Sequence, residues 1–272
     1  GQPSRTVALS SSSQGSGGGG VYYTLAVAEA LQARALNDGD EPDVIVRIAR
    51  EREWYTGEVA SGIAASAYDL QTVALHEMLH GVVFSGAFET TQDETAATIS
   101  RNELGAFDRL VTLPTIPSSS SSSSRSSGDD RCAVHGVASG GDEAGGSVEL
   151  LGALEATGLL RVSVFDDDDG EWVDAFVVYA PGEFVSRTSV YHVDAAAVDT
   201  TERELVLAPE VGKGEVRREV ADGIAKVVQH LLSAGVDTAP RACEKGEVDE
   251  ILARNGGAGG GDDGCMVGAL GC

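Results

Sequence analysis

Residues 67–84 read AYDLQTVALHEMLHGVVF, and this stretch decides how the rest of the chain is interpreted. Its apolar residues recur every three to four positions, which predicts an amphipathic helix. Asp69 stands where an N-cap residue accepts a hydrogen bond from the first helical turn. The apolar stripe of this helix consists of Leu70, Val73, Ala74, Met78 and Leu79. The stretch therefore predicts one helix that begins just after Asp69.

Inside this helix, His76, Glu77 and His80 form the H-E-x-x-H pattern of zinc sites. Residues four apart lie one turn along the same helix face, so both imidazoles can reach one metal ion about 2 Å away. The adjacent Glu77 leans toward the coordination position that water occupies, which suits a general base. The pattern therefore predicts zinc as the cofactor, His76 and His80 as metal ligands, and Glu77 as the catalytic residue.

A catalytic zinc ion usually has three protein ligands, so the chain must supply a third. In the compact signature H-E-x-x-H-x-x-G-x-x-H the third histidine would fall at position 86, which is Gly86 here. Glu103, 23 residues after His80, is the candidate for a thermolysin-like arrangement. The remaining histidines are His135, His192 and His230. The residues alone leave these alternatives open.

Charge and cysteine content limit the partners and the compartment. The chain has 272 residues with 19 basic and 43 acidic side chains, a formal net charge of −24. Such a charge repels phosphate backbones, so we expect no nucleic-acid partner, and no apolar run is long enough to predict a membrane span. The four cysteines, which contain no C-x-x-C pair, are Cys132, Cys243, Cys265 and Cys272. They predict two disulfides with three possible pairings, among them a short Cys265–Cys272 loop, and a secreted or extracellular protein.

Low-complexity segments divide the chain. Residues 1–20 are rich in serine and glycine and predict a flexible leader, and residues 239–272 predict a tail that contains glycine and cysteine. Between them we expect one catalytic domain over residues 21–238. A proline- and serine-rich insertion interrupts this domain at about residues 114–131.

The predicted domain mixes helices with strands. Helical spacing predicts helices over 21–36 and 224–232, with His230 on the polar side of the second. Strands are predicted at 43–49, 160–165 and 172–179. An acidic turn joins the last two strands as a hairpin. Together these elements predict an α+β fold.

The helix of residues 67–84 resembles the active-site helix of leishmanolysin-like metzincins and their secreted relatives, D-x-x-T-V-x-L-H-E-x-x-H-G-L-G-F. The matching residues are Asp69, Thr72, Val73, Leu75, His76, Glu77, His80, Gly81 and Phe84. Trp54-Tyr55 and the 107–110 segment FDRL also resemble flanking elements of that family. The resemblance spans roughly residues 21–238. It implies a metzincin-like α+β fold, with the active-site helix under a small twisted sheet and a long insertion before the third zinc ligand.

In that family, the third zinc ligand is a histidine in a context similar to TSVYHVD at residues 188–194. The resemblance therefore nominates His192. It implies a zinc-dependent endopeptidase for protein or peptide substrates, in which zinc activates water and Glu77 takes its proton. If this segment is a strand, Tyr191 points away from His192, and Asp194 shares the face of His192.

Two positions depart from the family pattern. Val83 stands where the family usually has glycine, often with a positive φ, so we expect a strained or different turn there. Val206 or Leu207 stands in place of the methionine under the metal. These departures favour one alternative, a catalytically inactive metzincin-like binding or surface module.

Overall fold

The structure, a computed structural model, describes residues 6–9, 21–86, 88–90, 97–99, 104–115, 131–134, 158–179, 188–197, 206–233 and 240–256. The α-helices in these ranges are α1 (Leu25–Gln32), α2 (Leu70–Val82), α3 (Asp222–Ser233) and α4 (Lys245–Gly256). Short 3₁₀ turns occur at Ala60–Gly62 and Asp108–Leu110. None of the described helices is long and apolar enough to span a membrane.

The strands form several small sheets. In chain order they are β1 (Thr6–Leu9), β2 (Val21–Thr24), β3 (Trp54–Tyr55), β4 (Tyr68–Asp69), β5 (Phe88–Thr90), β6 (Ala97–Ile99), β7 (Val111–Pro114), β8 (Arg131–Ala133), β9 (Arg161–Asp166) and β10 (Glu171–Val177). The largest sheet is antiparallel, in the order β10-β9-β7-β8. Three two-stranded sheets pair β1 with β2, β3 with β4 and β5 with β6, and only the β3–β4 pair among them is parallel. This mixture of small sheets and separate helices is compatible with the predicted α+β class.

The core lies between the four-stranded sheet and the helices. Helix α3 packs on β9 and β10, and α1 contacts both α2 and α3. The largest fully buried side chains are Phe84, Phe107, Leu110, Val111, Leu113, Leu160, Leu207, Ile224 and Ile251. Several of them lie beside the end of α2 or the segment that follows β10, so the same packing that stabilises the domain also positions the candidate site.

The beginning of the domain differs from the sequence prediction. Residues 21–24 form β2 rather than the first turn of a helix, and α1 is accordingly shorter than predicted. The partner of β2 is β1, so Thr6–Leu9 of the predicted leader form a paired strand. Aromatic and β-branched side chains at 21–24 favour a strand once a neighbouring strand offers hydrogen bonds.

The predicted strand at 43–49 is also wrong. These residues have irregular backbone, and no strand pairs with them in the described part of the chain. Val44 instead packs against Gly81 of α2, where a Cβ would overlap its side chain. Ile45 and Ile48 are exposed. β-branched residues favour strands only where a neighbouring strand is available, so local propensity was misleading here.

The hairpin and the second amphipathic helix are confirmed. Strands β9 and β10 pair around a turn that ends at Gly170, whose φ of 68° suits glycine. Helix α3 covers the predicted residues 224–232 and buries Ile224, Val227 and Leu231. Leu232 is exposed, and so is Met78, which was predicted to lie on the apolar stripe of α2. Both side chains lie off the buried face.

The predicted tail contains ordered structure. Cys132 of β8 forms a disulfide with Cys243, and α4 follows directly, with Val248 and Ile251 buried in the core. The segment before α4 therefore belongs to the folded domain. The suggested Cys265–Cys272 loop and residues 116–130 of the insertion lie outside the described residues. The described ends of that insertion are the paired strands β7 and β8.

Candidate metal centre

The N-terminus of α2 is held by a buried carboxylate. Asp69 caps the helix as predicted, because its Oδ2 accepts hydrogen bonds from Thr72 N at 3.0 Å and Thr72 Oγ1 at 2.7 Å. Arg218 donates to both carboxylate oxygens, at 2.8 and 2.6 Å. Burial raises the pKa of Asp69, but the hydrogen bonds from Arg218 and Thr72 outweigh it, and the pKa lies below its ordinary value. The helix start is thereby joined to the distant segment that contains Arg218.

Two imidazoles project from one face of α2. His76 is buried and His80 is partly buried, and their ring centroids lie 4.7 Å apart. The Nδ1 of His76 lies 2.7 Å from the carbonyl oxygen of Val206, and the Nδ1 of His80 lies 2.8 Å from that of Phe84. A carbonyl only accepts hydrogen bonds, so each Nδ1 carries the proton. In the neutral rings, each Nε2 then carries no proton, and its lone pair is available to a metal ion.

His192 comes from a loop that is far away in sequence. Residues 188–192 form turns rather than a strand, and the buried Val190 has a positive φ of 74°. The backbone of Tyr179, just after β10, accepts from Val190 N at 3.2 Å and donates to His192 O at 2.8 Å. The Nδ1 of His192 donates to Thr188 O at 2.7 Å. Its Nε2 is therefore unprotonated in the neutral ring, as in the other two histidines.

The three Nε2 atoms converge on one point. That of His80 lies 3.1 Å from that of His76 and 3.1 Å from that of His192. Three lone pairs at this distance repel one another unless a cation lies between them. Ligands around a tetrahedral zinc ion at about 2.0–2.1 Å place neighbouring nitrogen atoms a little over 3 Å apart. His76, His80 and His192 thus form a group that can hold a metal ion.

The surroundings favour the neutral form of two of these imidazoles, those of His80 and His192. Burial, followed by repulsion from His192 and His76, lowers the pKa of His80 to about 3 despite its bond to Phe84 O. Burial also lowers the pKa of His192 to about 4, opposed by its bond to Thr188 O and aided by repulsion from His76. Metal ions bind the neutral form of histidine, so His80 and His192 have the required protonation state at neutral pH.

Glu77 lies between the two helical ligands in sequence and is exposed. Met78 next to it is also exposed, so this side of α2 faces solvent. The Glu77 carboxylate is therefore accessible to water.

Both departures from the family pattern are accommodated without backbone strain. Val83 ends α2 with φ −132° and ψ −50°, so the expected strain from a positive φ is absent at this position. Val206 and Leu207 are fully buried. The Val206 carbonyl accepts from His76, and the Leu207 carbonyl accepts from Val193 N at 2.9 Å. This apolar pair therefore links α2 to the loop that carries His192.

The structure overturns two expectations about neighbouring residues, those for Asp194 and His230. Asp194 does not share a strand face with His192, because residues 188–197 are mainly turns, and its Oδ1 accepts from Ala196 N at 2.9 Å. Tyr191 is buried, and its hydroxyl donates to Asp108. His230 is also buried rather than on a polar face, with its ring 5.7 Å from that of Trp172. The packing of α3 on β10 brings the His230 ring against Trp172 and so buries it.

Sequence reasoning missed the groups that orient the ligands. These are three backbone carbonyls, those of Thr188, Phe84 and Val206, and no side-chain pattern identifies such groups. The sequence also gave no indication that Asp108 of the FDRL segment accepts a hydrogen bond from Tyr191, the neighbour of His192. The alternative ligands Glu103 and His135 lie outside the described residues.

A comparison with protein-family models, curated proteins and solved structures found no match to this chain.

Proposed function

We propose that this protein is a zinc-dependent endopeptidase. The observation that carries the proposal is the convergence of the Nε2 atoms of His76, His80 and His192. The helix that supplies the first two also carries the exposed Glu77. His76, His80 and His192 would hold the zinc ion. Zinc bound there would activate water and polarise a carbonyl group. The fold would then be metzincin-like, as the helix motif implies.

In this function, Glu77 is the general base and then the general acid. Its carboxylate accepts a proton from the attacking water and returns it to the amine that leaves as the peptide bond breaks. The Nδ1 bonds to three carbonyls keep the ligand rings in one tautomer and orientation throughout. The substrate would be a protein or peptide that reaches the solvent-facing side of α2.

The Cys132–Cys243 disulfide supports an extracellular location, because disulfides form and persist in oxidising compartments. The acidic composition supports the absence of a nucleic-acid partner. The inactive binding module remains the alternative, and it loses one of its two arguments because Val83 is not strained.

The test replaces Glu77 by glutamine. Since Glu77 is not a metal ligand in this proposal, Glu77→Gln should retain about one zinc per chain and lose activity by about 10²- to 10⁴-fold on a denatured protein substrate. Zinc content and cleavage are measured on the same sample, with and without a chelator. Glu250→Gln, an exposed carboxylate on α4, is the matched control and should keep both zinc and activity.

Two results would overturn the proposal. If zinc-loaded protein cuts neither denatured proteins nor a peptide library, the inactive module is the better description. If His192→Gln retains zinc as tightly as the natural chain, the third ligand is a different residue.

A further inference from the structure

A buried carboxylate touches the loop that carries His192. Asp108 is fully buried in a 3₁₀ turn, and its Oδ1 accepts a hydrogen bond of 3.2 Å from the hydroxyl of Tyr191. Its Oδ2 accepts from Gly105 N at 2.9 Å. Burying a carboxylate is unfavourable unless it is hydrogen-bonded, so these bonds contribute to holding the group where it sits.

The same carboxylate fills space beside the end of α2. A Cβ built at Gly86 would overlap Asp108 Oδ1, and one built at Gly105 would lie 2.7 Å from Oδ2. Gly86 lies two residues after Phe84, whose carbonyl oxygen accepts the hydrogen bond from His80 Nδ1. Asp108 therefore sits between the segment that orients one ligand and the loop that supplies another.

The loop that carries His192 has a strained backbone, so contacts with its surroundings must hold it in place. Val190 precedes Tyr191 and has φ 74°, a backbone conformation that costs energy for a β-branched residue and persists only when its surroundings enforce it. The Tyr191 ring packs 5.8 Å from the Phe107 ring, which in turn packs 5.3 Å from Phe84. The side chain of Tyr191 thus connects the loop to the residues that follow α2.

Together these contacts point to a role for Asp108 in the metal centre. We propose that Asp108 is a positioning residue, which acts through the Tyr191 hydroxyl to hold His192 within ligand distance of His80. This inference rests on the proposed metal site but adds a residue that does not touch the metal. Residues that orient ligands in this way typically contribute about 10- to 100-fold to metal affinity.

The first experiment uses Tyr191→Phe, which removes the hydroxyl and keeps the buried ring. Zinc affinity, measured by competition with a chromophoric chelator, should fall about 10- to 100-fold. The visible spectrum of the Co²⁺-substituted protein should change with it. Tyr55→Phe, which removes a hydroxyl bonded to Val59 O, is the matched control and should leave both measurements unchanged. Gly86→Ala, which displaces the carboxylate, should reproduce the effect of Tyr191→Phe.

Two further measurements separate positioning from general stability. In a His192→Gln background, Tyr191→Phe should not weaken zinc binding further, because the ligand through which it acts is gone. In the metal-free protein, NMR signals of the His192 ring should shift in Tyr191→Phe, whereas those of His230, which packs on Trp172, should not.

Each outcome has one meaning for the proposal. Unchanged affinity and unchanged His192 signals, with only a lower free energy of unfolding, would overturn it, as would an equal loss of affinity in the His192→Gln background. If the natural chain binds no metal but Tyr191→Phe still shifts the His192 signals, the proposed enzyme is wrong and the positioning of His192 by Asp108 stands.

Discussion

Acid should destabilise the metal-free protein through two histidines of the candidate metal site, His80 and His192. The pKa of His80 is about 3 and that of His192 about 4, mainly because both rings are buried. In the unfolded chain, each imidazole titrates near its ordinary pKa of about 6.5. The contribution of these two rings to the free energy of unfolding is therefore complete above about pH 6.5. It is lost as the pH falls toward the pKa values of the folded state, because the unfolded state then binds more protons than the folded state does. At pH 5, about 1.5 pH units below 6.5, each ring lowers the free energy of unfolding by about 2 kcal/mol relative to neutral pH. The two rings together lower it by about 4 kcal/mol.

Urea unfolding of chelator-treated protein, followed by tryptophan fluorescence between pH 7.5 and pH 5, measures this loss. The matched variant is His192→Gln, which keeps a polar side chain but does not titrate. Its loss over the same range should be smaller by about 2 kcal/mol. An identical pH dependence in the two proteins would refute the reasoning, because His192 would then titrate in the folded state as it does in the unfolded one.

Two further predictions concern the framework around the site. Replacing both Cys132 and Cys243 by serine should lower the free energy of unfolding by about 5 kcal/mol in the chain-entropy model, since the bond closes a loop between residues 111 positions apart; a urea-measured loss below about 1 kcal/mol would contradict this. At the N-terminus of α2, Asp69→Ala should be about 1 kcal/mol less stable than Asp69→Asn, because asparagine can still accept the Thr72 N–H. Equal stability of these two variants would show that the cap contributes little.

The local features of this chain were readable from its sequence. The N-cap at Asp69, the helix that follows, the hairpin of β9 and β10 and the helix over 224–232 depend on neighbours within a few residues. The relation between His76 and His80 is of the same kind, because four residues make about one helical turn. Such patterns hold in the folded protein because they follow from the local geometry of the backbone.

The errors arose where distant partners decide the outcome. Residues 21–24 became a strand because β1 pairs with them, and residues 43–49 remained irregular because no described strand does. His230 lost its predicted exposure because the β9–β10 hairpin packs on α3. Propensity describes each segment alone, whereas pairing and burial depend on what lies opposite.

The candidate metal centre also combines features that the local sequence predicts with features that only the tertiary structure decides. The helix motif by itself determined two candidate ligands and a candidate base, and resemblance alone nominated His192. Only the tertiary structure brings the Nε2 of His192 to 3.1 Å from that of His80, a residue 112 positions away. It alone also decides that the carbonyls of Val206, Phe84 and Thr188 hold the rings in one tautomer. The physical reason is that ligand convergence and ring orientation depend on packing between remote segments, and neither backbone carbonyls nor their directions are written in residue types.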